Sequence, residues 1–401
     1  MNATVRQFRD FFVSLKLTVT LLVLGMLLVF FATLDQTNLG IWGIQQKWFH
    51  SFIVLQPMGG FPVPIFPGGY FIGGLLLINL VAAHVYRFTL KWRKSGIFLT
   101  HIGLILLLLG ELFSGIWQED FSMRLAPGEK KNYAESYHDH ELAIIDTTNP
   151  EFDEVVVIPD KVLEKGEPIQ HPKLPFRVVI KQYYPNSTFS SIPPAEPGKP
   201  PVNAPPSLAT TGVGPRLIAS ALPMTYKMNE RNFPTAFVEL IGPEGSLGTW
   251  MTAPHPSSEP PHGPAIFPQT FQHGGRTWTV GMRATRSYKP FALTLLKFSH
   301  DRYPGTELPK NFSSRVRLTT PDGHDDREVL IYMNNPMRYS GLTFYQASFE
   351  RGDQVSILQV VRNPSWLLPY ISCSLMTLGL VIQFCIHLFA FANKRRRLAT
   401  A

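Results

Sequence analysis

The sequence predicts a membrane protein with four transmembrane α-helices, three N-terminal and one C-terminal, and a large mostly-β extracytoplasmic domain inserted between helices 3 and 4. Three observations predict it. Four apolar runs, roughly Leu15–Leu34, Tyr70–Leu90, Gly96–Trp117 and Trp366–Ala392, are long enough for a bilayer crossing, which takes about 20 residues. The block between the last two, Gln118 to Asn363, is polar and built of short β-branched and aromatic runs bounded by turn residues. Lys and Arg gather at one set of span borders, the pattern that fixes orientation.

The first span follows Arg6, Arg9 and Lys16, as an export signal would, but no small-residue cleavage site follows Phe31, so it is expected to stay as an anchor. In the loop after it, IWGIQQKWFHSFIVL places Trp42, Trp48, Phe49, Phe52 and Leu55 on one helical face, opposite Gln45, Gln46 and Lys47. Such a helix is expected to lie in the membrane interface, where Trp is favoured. PMGGFPVPIFPGG is then expected to break regular structure before the second span.

Arg87, Lys91, Arg93 and Lys94 lie in the short loop between spans two and three, and Lys394, Arg395, Arg396 and Arg397 follow span four. Four alternating spans put these and the basic N-terminus on the cytoplasmic side, leaving residues 35–69 and 118–363 outside. The expected location is the bacterial inner (plasma) membrane, multi-pass, with both termini cytoplasmic. The formal net charge of +8 is then largely topogenic. A nucleic-acid partner is excluded, because the basic residues sit at membrane borders and not on one aromatic-interleaved face. Cys373 and Cys385 both fall inside span four, so the outside block has no disulfide framework, no CxxC redox centre and no CxxCH haem-attachment site. Both thiols read as small apolar packing residues.

The organisation is therefore residues 1–117 as a membrane region with three spans, 118–363 as the β-rich domain, and 364–401 as the last span with its basic tail. ELAIIDTT, DEVVVIPDKV and FRVVIKQYY open the domain as strands. About half of the chain's 35 prolines fall at about 185–268, which reads as an insertion of extended loops holding two strands, PTAFVELIG and LGTWMT. RTWTVGMRA, FALTLLKFSH, SRVRLTT, REVLIYMN, GLTFYQASFE and QVSILQVVR resume the strands, with a hairpin turn at TTPDGHDD. Many short strands with turn signals argue for an antiparallel sandwich or open barrel.

No catalytic template is present: there is no Gly-rich phosphate loop, HExxH or GxSxG. His138 and His140 share a strand face at i, i+2 but lack a third ligand nearby in sequence. His50, His255 and His262 read as surface or loop histidines.

The residues that call for a function are the histidines inside the spans, His84, His101 and His387. Counting about 1.5 Å per residue, His101 lies ~10 Å inside Lys94, His387 ~10 Å inside Lys394 and His84 ~5 Å inside Arg87. All three fall in the cytoplasmic half. An imidazole in an apolar setting either bonds a neighbouring helix, worth about 1 kcal/mol, or ligates a metal such as haem iron. His84, near the border, reads as the former. His101 reads as the ligand, with His387 as a candidate second ligand. Glu111, ~15 Å beyond His101 toward the outside, reads as an interfacial carboxylate.

In SLKLTVTLLVLGMLL, THIGLILLLLGE, FSHDRYPGTELPKNFSSRVRL and YMNNPMRYSGLTFYQASFE, the chain resembles the ResB (CcsB) family of cytochrome c-type biogenesis proteins of the system II haem-attachment pathway. The last segment, with Asn335, Pro336, Tyr339, Gly341, Tyr345 and Gln346, is the most specific part of the signature. The resemblance implies a subunit of a cytochrome c synthase complex that carries haem b as transient cargo. It implies three partners: a ResC (CcsA)-like membrane protein, apocytochrome c, and a thioredoxin-like thiol reductant. It also implies that His101 is an axial haem ligand whose counterpart lies in the ResC-like chain. The Trp-rich haem-handling segment of that partner is missing here, so the chain is not a fused synthase. The alternative reading is a haem b electron-transfer subunit using His101 and His387.

Overall fold

A glycine face on one helix organises the membrane part. The computed structural model describes residues 3–87, 91–192, 206–225, 232–254, 268–306, 309–350 and 354–399. The helices α1 (Ala3–Phe12), α2 (Leu15–Ile44), α3 (Gly69–Arg87) and α4 (Ser95–Trp117) precede the β domain, and α6 (Leu368–Ala399) follows it. Four helices are long and apolar enough to cross a membrane, the expected three and one.

Helix α4 buries Gly96, Gly103 and Gly110, seven residues apart and so on one face of the helix. Against them lies α6. A Cβ on Gly103 would meet Met376 Cγ at 2.5 Å and Ser372 O at 2.8 Å, and one on Gly379 of α6 would meet Thr100 N at 2.7 Å. Small residues let two backbones approach this closely, which drives helix association where lipid removes the hydrophobic incentive. Elsewhere in the bundle, the buried Asn79 of α3 donates to Phe12 O (2.7 Å) and accepts from Thr18 Oγ1 (2.6 Å), fastening α3 to the end of α1 and the start of α2.

The loop after the first span differs from the expected interface helix. The helix runs on through Ile44 and one π turn, Gln45–Phe49, and then gives way to a hairpin of β1 (Ile53–Met58) and β2 (Phe61–Pro67). Backbone geometry turns at Gly40 (φ 69°), which lets Lys47 Nζ and Trp48 Nε1 reach back to Asp35 Oδ2 at 2.7 and 2.9 Å. The prolines that suggested broken structure sit in a two-stranded ribbon, where both strands are edges and a missing N–H is tolerated.

The β domain has two large cores sharing two long strands, and a smaller third cluster around Phe189, Leu217 and Met251. In order they are β3 (Glu119–Leu125), β4 (Lys130–Asp146), β5 (Glu154–Pro159), the one-turn α5 (Asp160–Leu163), β6 (Arg177–Tyr184), β7 (Ser187–Ser191) and β8 (Leu217–Ala221). They continue with β9 (Thr235–Gly242), β10 (Gly245–Thr252), β11 (Gln269–His273), β12 (Arg276–Arg302), β13 (Pro309–Thr319) and β14 (Asp326–Tyr332). Last come β15 (Met337–Tyr339), β16 (Leu342–Glu350) and β17 (Val355–Arg362). One sheet runs β14-β13-β12-β4-β3-β17-β16-β15, antiparallel throughout. Tyr332 and Asn335 exchange backbone hydrogen bonds across the β14–β15 turn, bringing the two ends of that sheet together into a near-barrel. Its interior is filled by alternate residues such as Met123, Leu293, Leu295, Val316, Phe344 and Val360.

The outer halves of β4 and β12, with β5 and β11 on their flanks, pack against the separate sheet β10-β9-β6 over Ile144, Phe176, Val238, Trp250 and Trp278. This sandwich takes in the two strands expected within the proline-rich stretch, and β7 and β8 form a further ribbon there. His255 and His262 lie outside the described residues.

Helix α4 leads directly into β3 and β17 leads back to α6, and β3 and β17 are paired from Glu119↔Arg362 onward. At the junction Asn363 Nδ2 donates to Ser114 Oγ (3.0 Å) and Gln118 Oε1 (3.1 Å). The helix pair thus continues as a strand pair. Gly103→Leu is expected to destabilise the membrane bundle by at least about 1–3 kcal/mol through overpacking. Gly25→Leu, at a position where a Cβ meets nothing within 4 Å, leaves stability unchanged; thermal unfolding of both variants in detergent checks this.

Candidate functional site in the membrane

His101 lies on the side of α4 turned away from the glycine face. At 100° per residue it is about 160° from Gly103, so it is not directed at α6. It meets α3 instead: the rings of His84 and His101 have centroids 4.9 Å apart, and Phe98, one turn from His101, has its ring 6.1 Å from His84. His84, expected to bond a neighbouring helix, has its Nδ1 3.2 Å from Leu80 O of its own helix instead. The structure also brings it beside His101, which the depth count did not anticipate.

His101 Nδ1 is 2.7 Å from Ile97 O. A carbonyl only accepts, so the ring proton sits on Nδ1 and the lone pair on Nε2. That is how a ligating histidine is held: one nitrogen fixed by a backbone carbonyl, the other offered to a metal. The donor chemistry fits one axial position of a haem iron. The two rings as they stand do not fit both, because bonds of about 2 Å on opposite sides of an iron set imidazole centroids roughly 6 Å apart. Among the described residues, no group of three or more His, Cys, Asp or Glu side chains is placed to hold a metal ion.

His387 is elsewhere. It lies on α6 with its Nε2 accepting from Gln383 Nε2 at 2.9 Å, and Gln383 also reaches Arg93 O at 3.4 Å. Gln383 packs against Gly96, on the glycine face of α4. The structure therefore pairs His101 with His84 and keeps His387 on the α6 side of α4.

In the β domain, His138 and His140 lie on β4. The His138 ring stacks near Trp42 at 4.4 Å, tying the first outside loop to the domain. Burial pushes both imidazoles below the ordinary histidine pKa. Arg283 and the buried Glu141 pair across β12 and β4 at 2.8 Å, beside a 430 Å³ groove also lined by Arg124, Arg286 and His140.

The six signature residues lie where the near-barrel closes. Asn335 bonds across to Tyr332, and Pro336 follows it into β15. Tyr339 packs edge-on against Phe291 at 4.9 Å. Ser340 (φ 49°) and Gly341 (φ 75°) form the two-residue turn between β15 and β16, where two left-handed residues match the twist of the strands. Tyr345 is solvent-facing. Gln346, at a bulge against β17, accepts from Ser314 Oγ at 2.6 Å and donates to Ser348 O at 3.1 Å.

Residues 266–357, the segment from β11 into β17, match the ResB-like family. A stretch of 92 residues is 35% identical to Protein NrfI of Wolinella succinogenes, covering 23% of this chain and 10% of NrfI. The matched stretch is thus a small part of that much longer relative. The chain itself is a multi-pass membrane protein with a large extracytoplasmic β domain.

Two outcomes follow. Gln346→Leu leaves the buried Ser314 and Ser356 hydroxyls only each other as partners, with one hydroxyl hydrogen unpaired, and is expected to cost about 1–3 kcal/mol of domain stability, read by denaturant unfolding. His140 has a folded pKa below its unfolded value, so on acidification the unfolded chain gains a proton that the folded chain refuses. Stability is constant above the unfolded value and falls as pH drops below it, toward the folded pKa. His140→Gln is expected to reduce the stability lost between pH 7 and about 5.5.

Proposed function

We infer that this chain is a subunit of a system II cytochrome c synthase complex, holding haem within the membrane at His101 and presenting it to apocytochrome c for covalent attachment at CxxCH. The match of residues 266–357 to the ResB-like family is the observation that carries this reading. The four-span architecture with its β domain and the disposition of His101 support it.

The Lys and Arg borders support a topology with both termini and the His84–His101 end of the bundle on the cytoplasmic side. Haem supplies the iron for axial ligation and the vinyl carbons to which the two cysteine thiols add, each sulfur bonding carbon while its hydrogen passes to the neighbouring vinyl carbon. The chain's own residues bind and orient. Ile97 O fixes the His101 ring, His84 and Phe98 wall one side, and the rest of that side opens toward lipid, where a ResC (CcsA)-like partner brings the second axial ligand. The β domain stands over the outer end to receive the apocytochrome, whose thiols a thioredoxin-like reductant keeps reduced. An unfolded chain is received by β-augmentation along the edges of the sheet β10-β9-β6, beyond the bridges that Thr211 makes to Trp250 and Ile169 to Val178.

The test is haem spectroscopy of the chain purified with its ResC-like partner. His101→Gly is expected to lose bound haem at least about tenfold, with added imidazole restoring it. His84→Ala weakens binding without abolishing it, and His387→Gly leaves it unchanged. Haem held by the chain alone and lost with either His101 or His387 would instead establish the electron-transfer reading. No haem in the wild-type complex sinks both. In the cell, deletion is expected to abolish holocytochromes c and spare b-type haem proteins.

A further inference from the structure

A second constellation of polar side chains sits at the opposite end of α3 and α4, next to the β domain. Here Gly68 and Gly69 approach the backbone of Ser51 and Phe49 so closely that a Cβ on Gly69 would lie 2.5 Å from Phe49 O. That contact sets His50 beside Tyr70, their rings parallel within 7° and 5.5 Å apart. Both reach the same spot on α4: a Cβ on Gly115 would lie 2.9 Å from Tyr70 Oη and 3.3 Å from His50 Nε2. Glu111 is one turn earlier on that face of α4, within electrostatic reach of the Tyr70 hydroxyl. A phenol, an imidazole and a carboxylate thus converge at a membrane border.

They form one end of a cleft of about 150 Å³ whose other walls are Leu77, Leu108 and Leu112 and the bare backbone of Gly73 and Gly74. A Cβ at either of those glycines would meet nothing within 4 Å, so that wall of the cleft stands open.

We propose that this cleft binds the head ring of a membrane quinone or quinol. Four features select that class. The cleft opens between two membrane-spanning helices, so its ligand arrives through lipid. Its volume of about 150 Å³ suits a single substituted ring. The glycine wall and the parallel His50 and Tyr70 rings suit a flat ring. The polar end offers a hydroxyl donor, an imidazole that donates or accepts, and a carboxylate that accepts, which together satisfy an oxygen that exists as carbonyl or hydroxyl. A phospholipid fits less well: its acyl chain leaves the polar end without a purpose. The prenyl tail leaves along Leu77 and Leu108 into the bilayer. An ionisable residue at membrane depth is a functional marker by default, and here Glu111 acquires a specific one.

The experiment uses the full chain in nanodiscs of defined phospholipid, titrated with a short-chain benzoquinone and naphthoquinone, with an azido-quinone for photolabelling. Saturable binding of one ring per chain is expected, with label on residues of α3 from 69 to 77 or of α4 from 108 to 115. Gly74→Leu, which fills the cleft at a position with free space, is expected to weaken binding at least about tenfold, and Tyr70→Phe several-fold. Gly74→Ala serves as the control with little added volume and binds like wild type. His101→Gly also binds quinone normally, which separates this site from haem at the other end of the bundle. Absence of saturable binding by the wild type, or binding and labelling indifferent to Gly74→Leu, overturns the proposal. So does displacement of the quinone by added phospholipid at equal concentration.

Discussion

The backbone-to-backbone approach of α4 and α6 is the constraint on which the molecule depends. These helices are separated in sequence by the entire β domain, yet Gly96, Gly103 and Gly379 allow them to touch along their length. Because α4 runs into β3 and α6 is reached from β17, the same contact brings the first and last strands of the domain together in register from Glu119↔Arg362. The Ser114–Asn363–Gln118 hydrogen bonds sit at that transition, where a continuous pair changes from helical to extended backbone. The domain is therefore closed at its base by the membrane helices, and the orientation of the near-barrel over the bilayer follows from the helix pair.

That contact also decides which face of α4 remains for chemistry. With one side occupied by α6, the polar residues His101 and Glu111 fall on other faces, toward α3 or lipid. Helix α3 is fastened elsewhere, to α2 through Asn79 and to the π turn through Gly68 and Gly69. It leaves α4 touching it mainly at the ends, where His84 meets His101 and where Tyr70 meets Gly115. Two separated polar stations on one helix pair are the consequence of α4 having a single tightly packed side.

Much of this was legible in the sequence. The four spans and the β character of the middle block follow from hydropathy and period, because membrane thickness and strand pleat impose length and alternation directly. His101 was legible for the same reason: an imidazole in a leucine-rich span conflicts with its surroundings. What the sequence did not disclose was pairing. Depth alone put His387 level with His101, while helical rotation and the glycine face put them on different sides. Likewise His50 read as a surface residue, because nothing in the local sequence shows that Gly68 and Gly69 draw it against Tyr70. The PMGGFPVPIFPGG stretch misled through its prolines, which exclude a central strand but not a two-stranded ribbon.

The signature residues show how a recognisable segment and a reactive site part company. Gly341 and Gln346 are demanded by geometry: a left-handed turn, and a bulge where the Gln346 amide serves the Ser348 carbonyl. Each admits few residue types, so the seam of the near-barrel is written in an unusually specific string. A ligand site of the kind proposed at His101 requires only one imidazole and an apolar neighbourhood, which many helices supply. The most specific stretch of the sequence therefore lies where the fold closes, and a site that needs only a ring nitrogen and a fixed tautomer has to be found from three-dimensional neighbours. For His101 those neighbours are the Ile97 carbonyl and the His84 ring. With ring centroids 4.9 Å apart, His84 and His101 as they stand leave no room for a metal ion held between them.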